Sequence, residues 1–306
     1  MNTITVKYWG RTGNVLFQIS AAIAYSNKTN RPFILSKYDL FPNLENYSAS
    51  SIGLNEDEYV ESLKEIKEED ISPEFSFPEN QNIRLFGFFQ NYKLFDEYKD
   101  QVLDVIGFPA IRSSVLPKLD LPTFKSRGLF QTPPNSNEVT VSLHIRRGDY
   151  EELSCYFLLL NEYYYRLALL HIANQLRGKK IKVIFFYEKT AAESSKRVIN
   201  ALLSDNDLAQ YSIEYYHFND LLEESSTAIT DIEEMAVMSH CNHHIIANST
   251  FSWWSAYINP DLNKIVCYPN EYFNHQLWYL NNDGLKVDEW TSIEAWNPYE
   301  YRCECR

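Results

Sequence analysis

Apolar and polar positions along this chain follow two periods, near 2 and near 3.6 residues, and each change of period marks an expected element boundary. Thr3–Tyr8 alternates as a strand, Gly10–Gly13 makes a turn, and Asn14 opens an apolar helix that runs to about Lys28. Arg31–Leu35 returns as a strand, so the chain begins β-loop-α-β with Gly13 in the loop over the helix amino end. Residues 55–74 are dense in Glu, Asp and Lys and read as an exposed insert, either a solvated helix or a mobile excursion. Asp120–Glu138 holds Pro122, Pro133 and Pro134, lacks periodicity and reads as a linker. Beyond it, strand patterns at 139–145, 181–187, 212–217, 243–248 and 264–268 alternate with helical patterns at 161–177, 191–204, 230–241 and 250–258. That order predicts a doubly wound parallel sheet. The expected architecture is α/β with two facing Rossmann-like domains, 1–130 and 139–290, a ligand cleft between them, and 291–306 crossing back onto the first.

Two of these strands end in chemistry suited to an anion. Arg146 and Arg147 emerge at the carboxyl end of the strand Val139–Ile145, where open α/β sheets bind their ligands, and adjacent guanidinium forks suit a diphosphate. A structural ion pair with nearby acids is the competing use of either arginine. The strand that begins at His243 runs into Asn248-Ser249-Thr250, helix-capping residues whose free amides and hydroxyls offer a second place for phosphate oxygens. His144 is either a hydrogen-bonded core histidine or part of the ligand pocket. Asp149 is either a general base or the partner of an arginine. Asn14 is either a helix cap or a sugar contact, and Gln18, one turn on, is either an acceptor contact or a buried amide. No D-x-D pair follows a strand, so no metal site is expected.

The formal charge of -13 and pI near 5.0 disfavour nucleic acid or an anionic membrane as the main partner, which leaves a phosphate ligand to a local arginine cluster. Five cysteines without framework spacing do not suggest a disulfide scaffold. Cys155, Cys241 and Cys267 read as buried thiols, and Cys303 and Cys305 as a reduced tail. With no leader pattern and no long apolar run, a cytoplasmic protein without a membrane span is expected.

Four segments in order carry a family resemblance: Gly10-Arg11-Thr12-Gly13-Asn14-Val15-Leu16-Phe17-Gln18, Gly87-Phe88-Phe89-Gln90, His144-Ile145-Arg146-Arg147-Gly148-Asp149-Tyr150 and Asn248-Ser249-Thr250-Phe251-Ser252-Trp253-Trp254. Together they resemble the α1,2-fucosyltransferases of bacterial and viral type. The resemblance implies the GT-B architecture, GDP-fucose as donor, a galactose-terminated glycan as acceptor and inverting transfer without a cofactor or metal. It also links Arg146 and Arg147 to the nucleotide diphosphate and Glu234, where relatives more often have Asp, to ribose or guanine. Thr12, Val15 and Phe185-Phe186-Tyr187-Glu188 depart from the family pattern. A transferase using another GDP-sugar would share every motif, whereas a catalytically silent carbohydrate-binding protein would bind glycans but not the nucleotide.

Overall fold

The protein is described by a computed structural model covering residues 2–72, 74–119, 122–130, 136–223, 227–277, 280 and 282–297. The chain divides into two compact units, the first formed by Met1–Ser113 with Thr230–Ile232 and Asp283–Leu285. The second takes Ser114–Ile229, Glu233–Asn282 and the described residues from Lys286 onward.

In the first unit β1 (Ile4–Val6) leads into α1 (Thr12–Thr29), followed by α2 (Glu56–Glu61), β2 (Leu63–Lys67), β3 (Asn82–Phe86), α3 (Lys99–Val105) and the start of α4 (Phe108–Leu119). The strands form a parallel sheet in the order β1-β3-β2. Helix α1 is apolar on nearly every side, from Val15 through Ala24, and is correspondingly buried. It ends where Asn30 takes a left-handed conformation and donates its backbone N–H to Asn27 and Ser26 carbonyls. Three expectations change here. Helix α1 starts at Thr12, so Asn14 lies inside it and does not cap it. Arg31–Leu35 makes only an isolated bridge, Ile4 to Phe33. The acidic stretch 55–74 contains α2 and the edge strand β2, whose single buried side chain, Ile66, is all the hydrophobic pattern it had to offer.

The second unit holds α5 (Pro122–Arg127), β4 (Glu138–Ile145), α6 (Asp149–Glu152), α7 (Glu162–Gln175), β5 (Lys180–Tyr187), α8 (Ala192–Leu203) and β6 (Ile213–His217). It continues with α9 (Phe218–Glu223), α10 (Asp231–Met238) from Glu233 onward, β7 (His243–Ile245), α11 (Thr250–Tyr257), β8 (Val266–Pro269) and β9 (Thr291–Ile293). The six strands are parallel in the order β6-β5-β4-β7-β8-β9. Chain order runs from β4 outward to β6 on one side and from β7 outward to β9 on the other, so the switch point lies between β4 and β7. Thr291–Ile293 extends this second sheet as its edge strand, where a return to the first domain had been expected. Residues 298–306, with Cys303 and Cys305, lie outside the described residues.

Strand β4 is buried on both faces, as the central strand of a parallel sheet must be. Val139, Val141, Leu143 and Ile145 enter the aliphatic core with Leu169, Ile172, Val183 and Phe185. The opposite face carries Thr140, Ser142 and His144, all buried. Cys155, expected as a buried thiol, is half-buried and disulfide-bonded, while Cys241 and Cys267 are buried free thiols. Among the described residues no helix is long and apolar enough to cross a membrane.

Three buried histidines make stability pH-dependent. Burial lowers His144 from 6.5 to about 3 and His243 from 6.5 to about 4, and it holds His244 well below its ordinary range. All three are neutral in the fold, so below 6.5 the unfolded chain binds more protons than the native one. Their contribution is complete above the unfolded value and is lost as pH falls through the window from about 6.5 to about 3. The melting temperature should therefore fall across that window, and His243→Gln should flatten the fall; a melting temperature independent of pH there would contradict this assignment.

Candidate active site

The polar face of β4 leads to the site. Thr140 is paired with Asn242, whose Oδ1 accepts from the Thr140 backbone N–H at 2.8 Å. Ser142 Oγ lies 2.7 Å from His244 Nδ1, and Asn259 Nδ2 lies 2.8 Å from His244 Nε2. His144, the third residue of that face, breaks the series: its Nδ1 is buried and has no hydrogen-bond partner. Its ring lies 5.6 Å from Phe251 in the first turn of α11, which joins the β4 segment to the one after β7. Burial first, and Arg146 second, keep the imidazole neutral, so it can exchange a hydrogen bond with a ligand but carries no charge to it. A buried polar atom without a partner costs about 1–3 kcal/mol, which a ligand can recover.

Arg146 and Arg147 take different places. Arg146 forms ion pairs with Asp149 and with Glu188, and its guanidinium carbon stands 4.8 Å over the Tyr150 ring, which stacks in turn on Phe157. Glu188 was read only as a departure from the family pattern. The parallel register could have found it, because Ile145 pairs with Tyr187 and the next residues out are Arg146 and Glu188. Gly148 makes the approach possible: its φ is +68°, and a Cβ there would sit 2.4 Å from Glu188 Oε2. Arg147 is buried, and its guanidinium donates to the backbone carbonyls of Leu160 at 2.6 Å and Arg146 at 3.0 Å. The expected pair of diphosphate forks thus reduces to one, because Arg147 ties the loop to the chain ahead of α7.

The segment after β7 is similarly divided. Asn248 is buried, and its Nδ2 donates to Leu158 and Tyr272 carbonyls at 2.8 and 2.9 Å, while its own carbonyl accepts from Tyr150 Oη at 3.1 Å. It braces the loop rather than facing a ligand. Ser249 is the N-cap of α11, but its side chain makes no cap hydrogen bond, contrary to expectation. Ser252 Oγ instead accepts the Ala247 backbone N–H at 3.2 Å and stabilises the turn from within the helix. The first turn of α11, which opens at Thr250, stands beside His144 through Phe251. Trp253 and Trp254 are fully buried and fix the helix in place. Glu234 is half-buried on α10, the helix before β7, and its neighbour Glu233 pairs with Lys118 at 2.6 Å.

Gly13, Asn14 and Gln18 belong to the first unit. Gln18 is fully buried; its Oε1 accepts from Trp9 N at 2.9 Å and its Nε2 donates to Trp9 and Gly87 carbonyls at 3.1 and 3.0 Å. Of the two uses open to Gln18 it has the buried-amide one, a backbone clamp with both ends of the amide engaged, and not the acceptor contact. Asn14 Oδ1 accepts from Gln90 Nε2 at 3.0 Å, and Gly13 is buried in the first turn of α1. No group of three or more His, Cys, Asp or Glu that could hold a metal occurs among the described residues.

Against this geometry, the family model described as Glycosyl transferase family 11 matches residues 56–294. The chain belongs to that family. The matched span includes the segments after β3, β4 and β7 and leaves out the one after β1. Among relatives in the family's range, the Escherichia coli O-antigen biosynthesis glycosyltransferase WbnK is 30% identical over 213 residues, 68% of this chain and 60% of that protein. An alpha-1,2-colitosyltransferase, also of Escherichia coli, is 27% identical over 236 residues, 76% of this chain and 69% of that protein. The match therefore spans about 60% of the length of the first relative. The fucosyltransferase NodZ from Bradyrhizobium aligns over 86% of this chain and 96% of its own at 13% identity, with a TM-score of 0.42, too low to carry a conclusion.

The two arginines should separate experimentally. Arg146→Lys keeps the charge and loses the fork, so it should weaken GDP binding with little change in melting temperature. Arg147→Lys should instead lower the melting temperature, by the equivalent of about 1–3 kcal/mol for each buried carbonyl left unpaired. The reverse pattern, with only Arg147→Lys losing GDP, would overturn the division.

Proposed function

We propose that this chain is an inverting glycosyltransferase that moves fucose from GDP-fucose to the 2-hydroxyl of a terminal galactose. The observation that carries the reading is the unpaired, buried His144 Nδ1 at the β4/β7 switch point, flanked by Arg146 and the opening amides of α11. Family membership supports transfer of a sugar, and the α-1,2 linkage named for one relative supports the linkage. The donor diphosphate would lie against Arg146 and the start of α11, with His144 and Glu234 toward the nucleoside.

In the reaction the acceptor hydroxyl oxygen forms a bond to the anomeric carbon as the bond from that carbon to the GDP β-phosphate oxygen breaks. Charge then develops on the phosphate. A preorganised donor at such an oxygen is worth about 100- to 1,000-fold in rate, and Arg146 with the helix amides fills that place without a metal ion. Ligand binding must compete with the carboxylates of Glu188 and Asp149 for the Arg146 fork. Asp149 in that pairing serves as a positioning residue, and the acceptor proton passes to solvent. Asn14, beside Gln90 in the first unit, would hydrogen-bond the acceptor.

The resemblance of this chain to a colitosyltransferase favours one second reading, a donor whose sugar differs from fucose while GDP is kept. A thermal-shift screen with GDP, UDP, GDP-fucose and GDP-mannose tests both. GDP at a hundredfold excess over its Kd should add about 2.7 kcal/mol of stability, UDP much less, and EDTA should change neither binding nor turnover. Equal stabilisation by UDP, or activity lost to EDTA and restored by Mg²⁺, would refute the metal-free GDP reading; glycan affinity with no response to GDP would favour a carbohydrate-binding protein.

Asp149→Asn gives a separate check. As a partner of Arg146 its loss should weaken GDP binding and rate together. Normal GDP affinity with kcat reduced about 100- to 10,000-fold would make Asp149 the general base instead.

A further inference from the structure

The first unit exposes two large aromatic side chains on a backbone held with unusual care. Trp9, three residues beyond β1, is 54% exposed, and Phe88, two beyond β3, is 43% exposed. Their ring centroids are 6.4 Å apart, and Trp9 also meets Phe86 edge-on at 5.6 Å. Lys7 stands 5.2 Å over Phe86. Both loops hang from the same buried group, because Gln18 bonds to Trp9 N, Trp9 O and Gly87 O. Glu68, from the turn after β2, accepts both Phe88 N and Phe89 N at 2.8 Å. A Cβ at Gly87 would sit 2.4 Å from Glu68 Cβ, so only glycine allows that brace. Phe89 adopts φ +52°, an uncommon conformation for a bulky residue, and so turns inward to 2% exposure while Phe88 stays outside. Strain of this kind persists where the surrounding structure enforces it and clusters at ligand sites.

We propose that the Trp9–Phe88 corner is a saccharide-binding subsite that takes a pyranose ring of the acceptor glycan. The proposal rests on the reading of the chain as a glycosyltransferase. Size decides against a protein partner: two half-exposed rings offer on the order of 200 Å², against about 800 Å² per partner in a stable protein interface. A pyranose fits the chemistry, because its C–H face packs on an aromatic face while its hydroxyls reach polar groups at the rim. Lys7, over Phe86, and the Glu68 carboxylate, held against the Phe88 amide, are the polar groups beside the rings. The site lies at the carboxyl ends of β1 and β3, the ligand-binding edge of a parallel sheet.

Trp9→Ala, Phe88→Ala and the conservative Trp9→Phe test it, with lactose as acceptor and GDP-fucose as donor. Each alanine variant should raise the KM for lactose roughly tenfold while leaving the Kd for GDP unchanged, and Trp9→Phe should recover most of the loss. Unchanged KM in both alanine variants of an active enzyme overturns the subsite and leaves the transferase reading standing. GDP affinity falling in step with KM, or a change in solution mass, also overturns it, in favour of a structural role or self-association. Should the wild type neither bind GDP nor transfer fucose, the transferase reading fails, and saturation-transfer NMR with lactose still decides: signal lost in both alanine variants supports the subsite, and signal absent from the wild type or unchanged in the variants overturns it.

Discussion

The buried polar face of β4 must find partners for every group it carries, and the second unit is organised around meeting that demand. Water cannot reach the strand, so Thr140 relies on Asn242 and Ser142 on His244, with Asn259 closing the chain. His244 must stay neutral for both its nitrogens to serve, and burial keeps it so. At the next position on the same face the pattern stops, because β7 ends at Ile245 and its chain turns away into α11. The unmet nitrogen of His144 is therefore a consequence of topology: β7 no longer runs beside it, and its register partner on β5, Phe186, has no polar side chain to offer.

The same end of the sheet concentrates charge. Arg146 is held by two carboxylates and an aromatic face, so its fork is oriented before any anion arrives. The Arg146 guanidinium is the more buried partner of these pairs, so it favours having an anion against it. A diphosphate is such an anion, and it brings oxygens to both the guanidinium and the helix amides. Arg147, one residue on, makes this possible by a different route, since its bonds to Leu160 and Arg146 carbonyls hold the loop that presents Arg146.

Legibility in the sequence followed burial. Strands β4 and β5 were readable because buried parallel strands are nearly continuous apolar runs, and they and the half-buried β6 begin and end within a residue of the pattern. Short strands of the first sheet were not: β2 buries only Ile66 amid charges, and β3 alternates over five residues around Arg84. Motifs named the right segments but not the task of each residue in them. Gln18 and Arg147 are engaged by carbonyls far along the chain or across a loop, and Ser249 leaves its helix uncapped because Ser252 holds the turn. Such contacts depend on where the backbone passes, which residue type alone does not specify. The disulfide at Cys155 escaped for the same reason.

The central claim, that the β4/β7 switch point is the diphosphate site, is tested most directly by a crystal structure of the GDP complex. The β-phosphate should lie within hydrogen-bond distance of the Arg146 guanidinium and the first amides of α11, with Glu188 displaced from Arg146 and His144 Nδ1 paired to the nucleotide. GDP bound elsewhere, with the Arg146–Glu188 pair intact and His144 Nδ1 still without a partner, would contradict it.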